Sequence, residues 1–135
     1  MRSLAVVVIA ALVMGTAPVV MGMGSSHDEG KPAAGAMAEV KAATAKGMPV
    51  FLDAGSDHCA PCKQMVPVID ALKKKYAGKV AVVFVNVEKE MSYVSGLGVT
   101  MIPAQIMYDR SGKEVGRHVG AMTQDEAEKF IGKGL

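Results

Sequence analysis

Only two cysteines occur in this chain, Cys59 and Cys62, and they sit two apart in Cys59-Ala60-Pro61-Cys62. An apolar, strand-like run, Val50-Phe51-Leu52-Asp53, precedes them, and a helix-like run over residues 63–76 follows. A fold for this chain must therefore feed a strand directly into a helix whose first turn carries two thiols. Thiols at i and i+3 on such a turn close a disulfide with little backbone movement. The helix N-terminus adds unpaired N–H groups and positive dipole potential. That environment lowers a thiol pKa, and the thiolate is the reactive species. Cys59 is expected to be the more exposed nucleophile and Cys62 the resolving thiol.

Two plainer readings of the pair are weaker. A structural zinc site needs about four ligands. There is no second CxxC, and His27, His58 and His118 are scattered along the chain. A purely structural disulfide over so short a loop would add little stability, because the loop-closure gain shrinks with loop length.

The N-terminus reads as a targeting segment. Arg2 is the sole charge before Asp28, and residues 4–14 are an unbroken apolar run. A positive start, an apolar stretch of that length and small residues after it form a secretory signal pattern. An uncleaved anchor is the rival reading, since residues 4–24 carry no charge and are long enough to span a bilayer. Both readings place the remainder outside the cytoplasm, with Arg2 inside. The expected organisation is a signal peptide or N-terminal membrane anchor over residues 1–24, a flexible linker over 25–35 and one domain over 36–135. Beyond Arg2, fourteen basic side chains face thirteen acidic ones. With no basic patch interleaved with aromatics, nucleic acid is not an expected partner.

Periodicity supplies the elements. Residues 36–46 are alanine-rich and end at Gly47, a helix stop. In residues 63–76, Met65, Ile69, Leu72 and Tyr76 recur on one helical face, with Lys73, Lys74 and Lys75 largely on the other. Residues 80–87 are apolar at nearly every position, as in a central strand covered on both faces. A weak helix is expected over 92–97, strands over 104–108 and 114–119, and a helix over 124–131 opened by a Thr123/Glu126 capping box. Crossover helices plus one terminal hairpin give an α/β fold with a mixed sheet and helices on both faces. Met65 and Met107 fit core positions, whereas Met101 and Met122 are expected to rim the site as adaptable apolar contacts.

Asp53 lies six residues before Cys59, Pro67 five after Cys62, Ile102-Pro103 precedes an apolar run, and Val119-Gly120 ends another. In this spacing, over about two-thirds of its length, the chain resembles thioredoxins. The stretch from Ile102 to Glu114 is most similar to small exported bacterial members. The resemblance implies the thioredoxin fold less its first strand. It implies that Asp53 serves as acid/base for Cys62. It also implies that Pro103 is the family's cis-proline, with Ile102 presenting backbone to a substrate strand beside Pro61. Departures surround the dithiol. Ala54 and Gly55 stand where the family has aromatic residues, His58 where it has Trp, and Phe84 where a lysine faces the buried Asp.

The function expected is an exported thiol–disulfide oxidoreductase that reduces periplasmic protein disulfides through a mixed disulfide. The Cys59–Cys62 pair is its redox group, and no other cofactor and no metal is expected. The resemblance further implies a membrane thiol transporter of the cytochrome c biogenesis type as electron donor, and the protein is expected to be a monomer. A protonated His58 would stabilise the Cys59 thiolate; a solvent-facing loop histidine is the equal alternative. The competing function is Cu(I) handling by Cys59 and Cys62 with His58 or Met101, since soft thiolates select Cu(I). A redox-inert interaction module is the third.

Overall fold

The computed structural model describes residues 35–135. The leader expected over residues 1–24, and the linker up to residue 34, lie outside the described residues. The elements are α1 (Ala36–Ala45), β1 (Val50–Gly55), α2 (Ala60–Lys75), β2 (Ala81–Asn86), α3 (Met91–Gly96), β3 (Ala104–Tyr108), β4 (Glu114–Val119) and α4 (Gln124–Ile131), with a closing 3-10 turn at Gly132–Gly134. The sheet order is β2-β1-β3-β4. β1 and β2 run parallel around α2, β3 is antiparallel to β1, and β4 is antiparallel to β3. The hairpin between β3 and β4 turns at Gly112, whose φ of 79° is a left-handed conformation that glycine adopts without steric cost.

β1 explains the layering. Its residues alternate between two apolar clusters, as the two-residue period of a strand requires. Phe51 joins Met65, Ile69 and Leu72 of α2 and Ala127, Phe130 and Ile131 of α4. Val50, Leu52 and Ala54 join Ala36 and Ala43 of α1 and Val94 of α3. Hence α2 and α4 cover one face, and α1 and α3 the other. The Phe51 and Phe130 rings meet edge-on, with centroids 6.1 Å apart, an arrangement favoured by their quadrupoles. Asp53 shares the parity of Phe51, so it is directed to the α2 face.

Helix α2 begins at Ala60, so its first turn carries the thiols as expected, and Cys59 caps it by accepting the Cys62 N–H on Sγ. Pro61 falls in that first turn, where its missing N–H costs nothing. Two expectations need correction. β2 is buried at Val82, Val83, Val85 and Asn86, yet among the described residues it is an edge strand. The places flanked by strands on both sides belong to β1 and β3. Met122 is buried, not at the rim: it packs in the α2–α4 core, and its N–H donates to Met65 Sδ.

The capping box of α4 forms as its sequence predicts. Thr123 accepts the Glu126 N–H, and the Glu126 carboxylate accepts the Thr123 N–H. Thr123→Ala is expected to lower stability by about 1 kcal/mol. A urea titration reads this as a lower midpoint with unchanged slope; an unmoved midpoint contradicts the cap.

Candidate active site at the β1–α2 junction

Cys59 and Cys62 are joined by a disulfide, with their Cα atoms 5.2 Å apart. The two sulfurs are unequal in access. Cys59, at the N-cap, is half-buried, whereas Cys62 is only 4% exposed. An incoming disulfide therefore meets Cys59 first. The Cys62 N–H in the first turn of α2 donates to Cys59 Sγ at 3.3 Å, and a donor at a helix N-terminus stabilises a thiolate there.

Behind the dithiol lies a cavity of about 200 Å³ lined by Asp53, Asp57, Cys62, Ile69, Lys73 and Phe84, among others. Asp53 is 1% exposed. Burial pushes its carboxyl up from 3.8 to about 6, and a hydrogen bond from Gln105 pulls the other way. Gln105 Nε2 donates to Asp53 Oδ1 at 2.7 Å. Among the described residues, Asp53 Oδ2 has no hydrogen-bond partner. The same cavity thus holds a carboxyl able to exchange a proton near neutral pH and the buried sulfur of Cys62.

The aromatic expected beside the dithiol arrives from another strand. A Cβ on Gly55 would meet the Phe84 ring at 3.0 Å and Cys62 Cβ at 3.3 Å. Phe84 thus fills the space that a side chain at Gly55 would need, and Gly55 lets the β1 backbone approach Cys62. Neither contact is visible in the sequence, because Phe84 and Gly55 come from different strands.

The loop carrying His58 is tied to the end of β2. The Ser56 hydroxyl donates to Glu88 Oε1 and accepts the His58 N–H at 3.1 Å. Asn86 Nδ2 donates to Asp57 Oδ2 at 3.1 Å. His58 Nε2 lies 3.9 Å from Glu88 Oε2, with the imidazole 83% exposed. His58 is therefore a solvent-facing loop residue with an acidic neighbour. Sequence reading missed Ser56, Asn86 and Glu88; the only signal was a polar cluster after an apolar strand.

Across the junction, the Ile102–Pro103 peptide is cis. The Pro103 carbonyl accepts the Gly120 N–H at 2.8 Å, fixing this loop to the end of β4. Met101 is 66% exposed beside it. Among the described residues, no group of three or more His, Cys, Asp or Glu side chains could hold a metal ion.

The raised Asp53 pKa has a consequence for stability. Between about pH 4 and pH 6 the folded protein holds a proton that the unfolded chain has released, so stability falls as pH rises through that window. Above it, the buried carboxylate costs on the order of 3 kcal/mol. Asp53→Asn is therefore expected to stabilise the oxidised protein at pH 8 and to gain little at pH 3.5. Urea titrations at the two pH values measure this; an equal effect at both contradicts the buried, raised carboxyl.

The thioredoxin family model matches residues 36–133. The chain is 34% identical over 84 residues to the thioredoxin of Haemophilus influenzae, covering 62% of this chain and 78% of that protein. It is 34% identical over 87 residues to thioredoxin C-2 of Corynebacterium nephridii, covering 64% and 80%. It is 31% identical over 88 residues to thioredoxin 1 of a Nostoc species, covering 65% and 81%. With its disulfide-bonded CxxC at the start of α2, the chain belongs to the thioredoxin family and is a thiol–disulfide oxidoreductase.

Proposed function

We propose that this protein is an exported reductase of protein disulfides, acting outside the cytoplasmic membrane as a monomer. The observation that carries the chemistry is a half-buried Cys59 at a helix N-terminus, bonded to a buried Cys62 that shares a cavity with a buried carboxyl. The apolar run after Arg2 supports export. The Ala60-Pro61 turn, with no histidine between the cysteines, supports reduction over oxidation.

In the reduced protein, the Cys59 thiolate attacks one sulfur of a substrate disulfide. The substrate S–S bond breaks, a Cys59–substrate disulfide forms, and the other substrate sulfur leaves as thiolate. Cys62 then gives its proton to the Asp53 carboxylate and attacks Cys59 Sγ. The mixed disulfide breaks, the second substrate thiolate departs, and the Cys59–Cys62 disulfide seen here is the product. Two electrons pass from the dithiol to the substrate, and the dithiol's protons end on the released thiols or in solvent. No other redox group is required. By resemblance, the Ile102 backbone beside Pro103 and the surface near Pro61 receive the substrate segment, and a membrane thiol transporter returns the electrons. Oxidised apocytochrome and other periplasmic protein disulfides are the proposed clients.

The test is insulin reduction with dithiothreitol as donor, together with trapping. Cys59→Ser is expected to abolish turnover, and Cys62→Ser to accumulate mixed disulfides through Cys59. Trapping by Cys59→Ser and not by Cys62→Ser would reverse the assignment. Chelator-resistant Cu(I) binding that needs His58 or Met101 would instead favour metal handling.

A further inference from the structure

Asp53 stands in register between Phe84 on β2 and Gln105 on β3. Phe84 can donate no hydrogen bond. Among the described residues, Gln105 is therefore the one side chain that hydrogen-bonds the Asp53 carboxyl. Gln105 is itself fully buried, and its Oε1 has no partner among the described residues. Burying a carboxamide with half its capacity unused is costly, and an apolar residue at that place would fill the space without that cost. A role for the amide beyond packing accounts for it.

A carboxamide carries a donor and an acceptor on one planar group. With Asp53 ionised, Nε2 donates to Oδ1, as the structure shows. With Asp53 protonated, a half-turn of the amide lets Oε1 accept the acid O–H. A lysine ammonium only donates, so it favours the ionised form alone. We propose that Gln105 is the positioning residue of the Asp53 proton relay, holding the carboxyl in both protonation states by exchanging the two ends of its amide. This rests on the acid/base role proposed above for Asp53. The chemistry is that of the resolving step: the proton leaves Cys62 Sγ for Asp53 as Cys62 attacks Cys59 Sγ, and it is later released to solvent.

The other groups facing Asp53 do not duplicate this. Asp57 from the loop and Cys62, Asp70 and Lys73 from α2 line the same cavity, and β2 contributes the uncharged Phe84. Asp57, Asp70 and Lys73 are all exposed. None of them hydrogen-bonds Asp53.

The test uses the full-length protein. Gln105→Met keeps size and burial and removes the amide; Gln105→Leu is a second variant in case the first packs poorly. Two readouts are followed from pH 4 to pH 9: the carbon-13 titration of the Asp53 carboxyl, and the rate of a single-turnover disulfide reduction. The proposal expects both midpoints to rise, by up to about one pH unit, because the bond lost to the ionised carboxylate is charge-assisted and stronger than the one lost to the protonated acid. It also expects that shift in the rate profile to vanish when Gln105→Met is placed in an Asp53→Asn background. A uniform loss of rate at every pH with unmoved midpoints would overturn it and leave Gln105 a packing residue. If Asp53→Asn alone leaves the rate profile of the parent protein unchanged, the acid/base role of Asp53 fails, and the relay with it.

Discussion

Burial of β1 on both faces and pairing on both edges is the constraint from which the site follows. Every residue of the strand is buried. The carboxyl at Asp53 is therefore buried, and it lines the cavity it shares with Cys62. The same strand delivers the chain to the N-terminus of α2, where Cys59 caps the helix. One element thus sets the depth of the acid, the exposure of the nucleophile and the burial of the resolving sulfur. The helix end favours a thiolate at Cys59, while burial holds the Asp53 proton until near neutral pH. The two effects act on different groups, which is the separation that a two-step exchange needs.

The surroundings of the dithiol are rebuilt rather than stripped. Where related thioredoxins place an aromatic on β1, this chain has Gly55 and brings Phe84 from β2 into the same space. Where they have a tryptophan before the first cysteine, this chain has exposed His58, on a loop fastened by Ser56 to Glu88 and by Asp57 to Asn86. The apolar wall against Cys62 is kept, while the outer rim becomes polar. A polar rim changes which partner surfaces dock without altering the sulfur chemistry, so partner choice is where this protein is expected to differ most from its relatives.

Local features were legible in the sequence and long-range ones were not. The cysteine spacing, the helical face of Met65, Ile69 and Leu72, and the Thr123–Glu126 capping box are set by residues within a few positions of one another. Each of those appears in the structure. Asp53 in an apolar run already signalled a buried acid. The resemblance placed Phe84 opposite it, but Gln105 did not show, because it meets Asp53 only through strand register, fifty-two residues away along the chain. Apolar content could not tell that β2 would lie at an edge and β1 inside the sheet, since both strands are apolar at nearly every position. Nor could it separate Met122, packed under α2, from Met101, exposed beside Pro103.

The central claim is that this dithiol gives electrons to protein disulfides rather than taking them. The standard potential of the Cys59–Cys62 couple tests it most directly, by equilibrating the protein with glutathione buffers of known ratio and counting the free thiols. A couple with no histidine between its cysteines, and with its one nearby imidazole facing solvent, is expected nearer roughly −270 mV than −120 mV. A value above about −150 mV would place it among oxidants and contradict the reductase assignment.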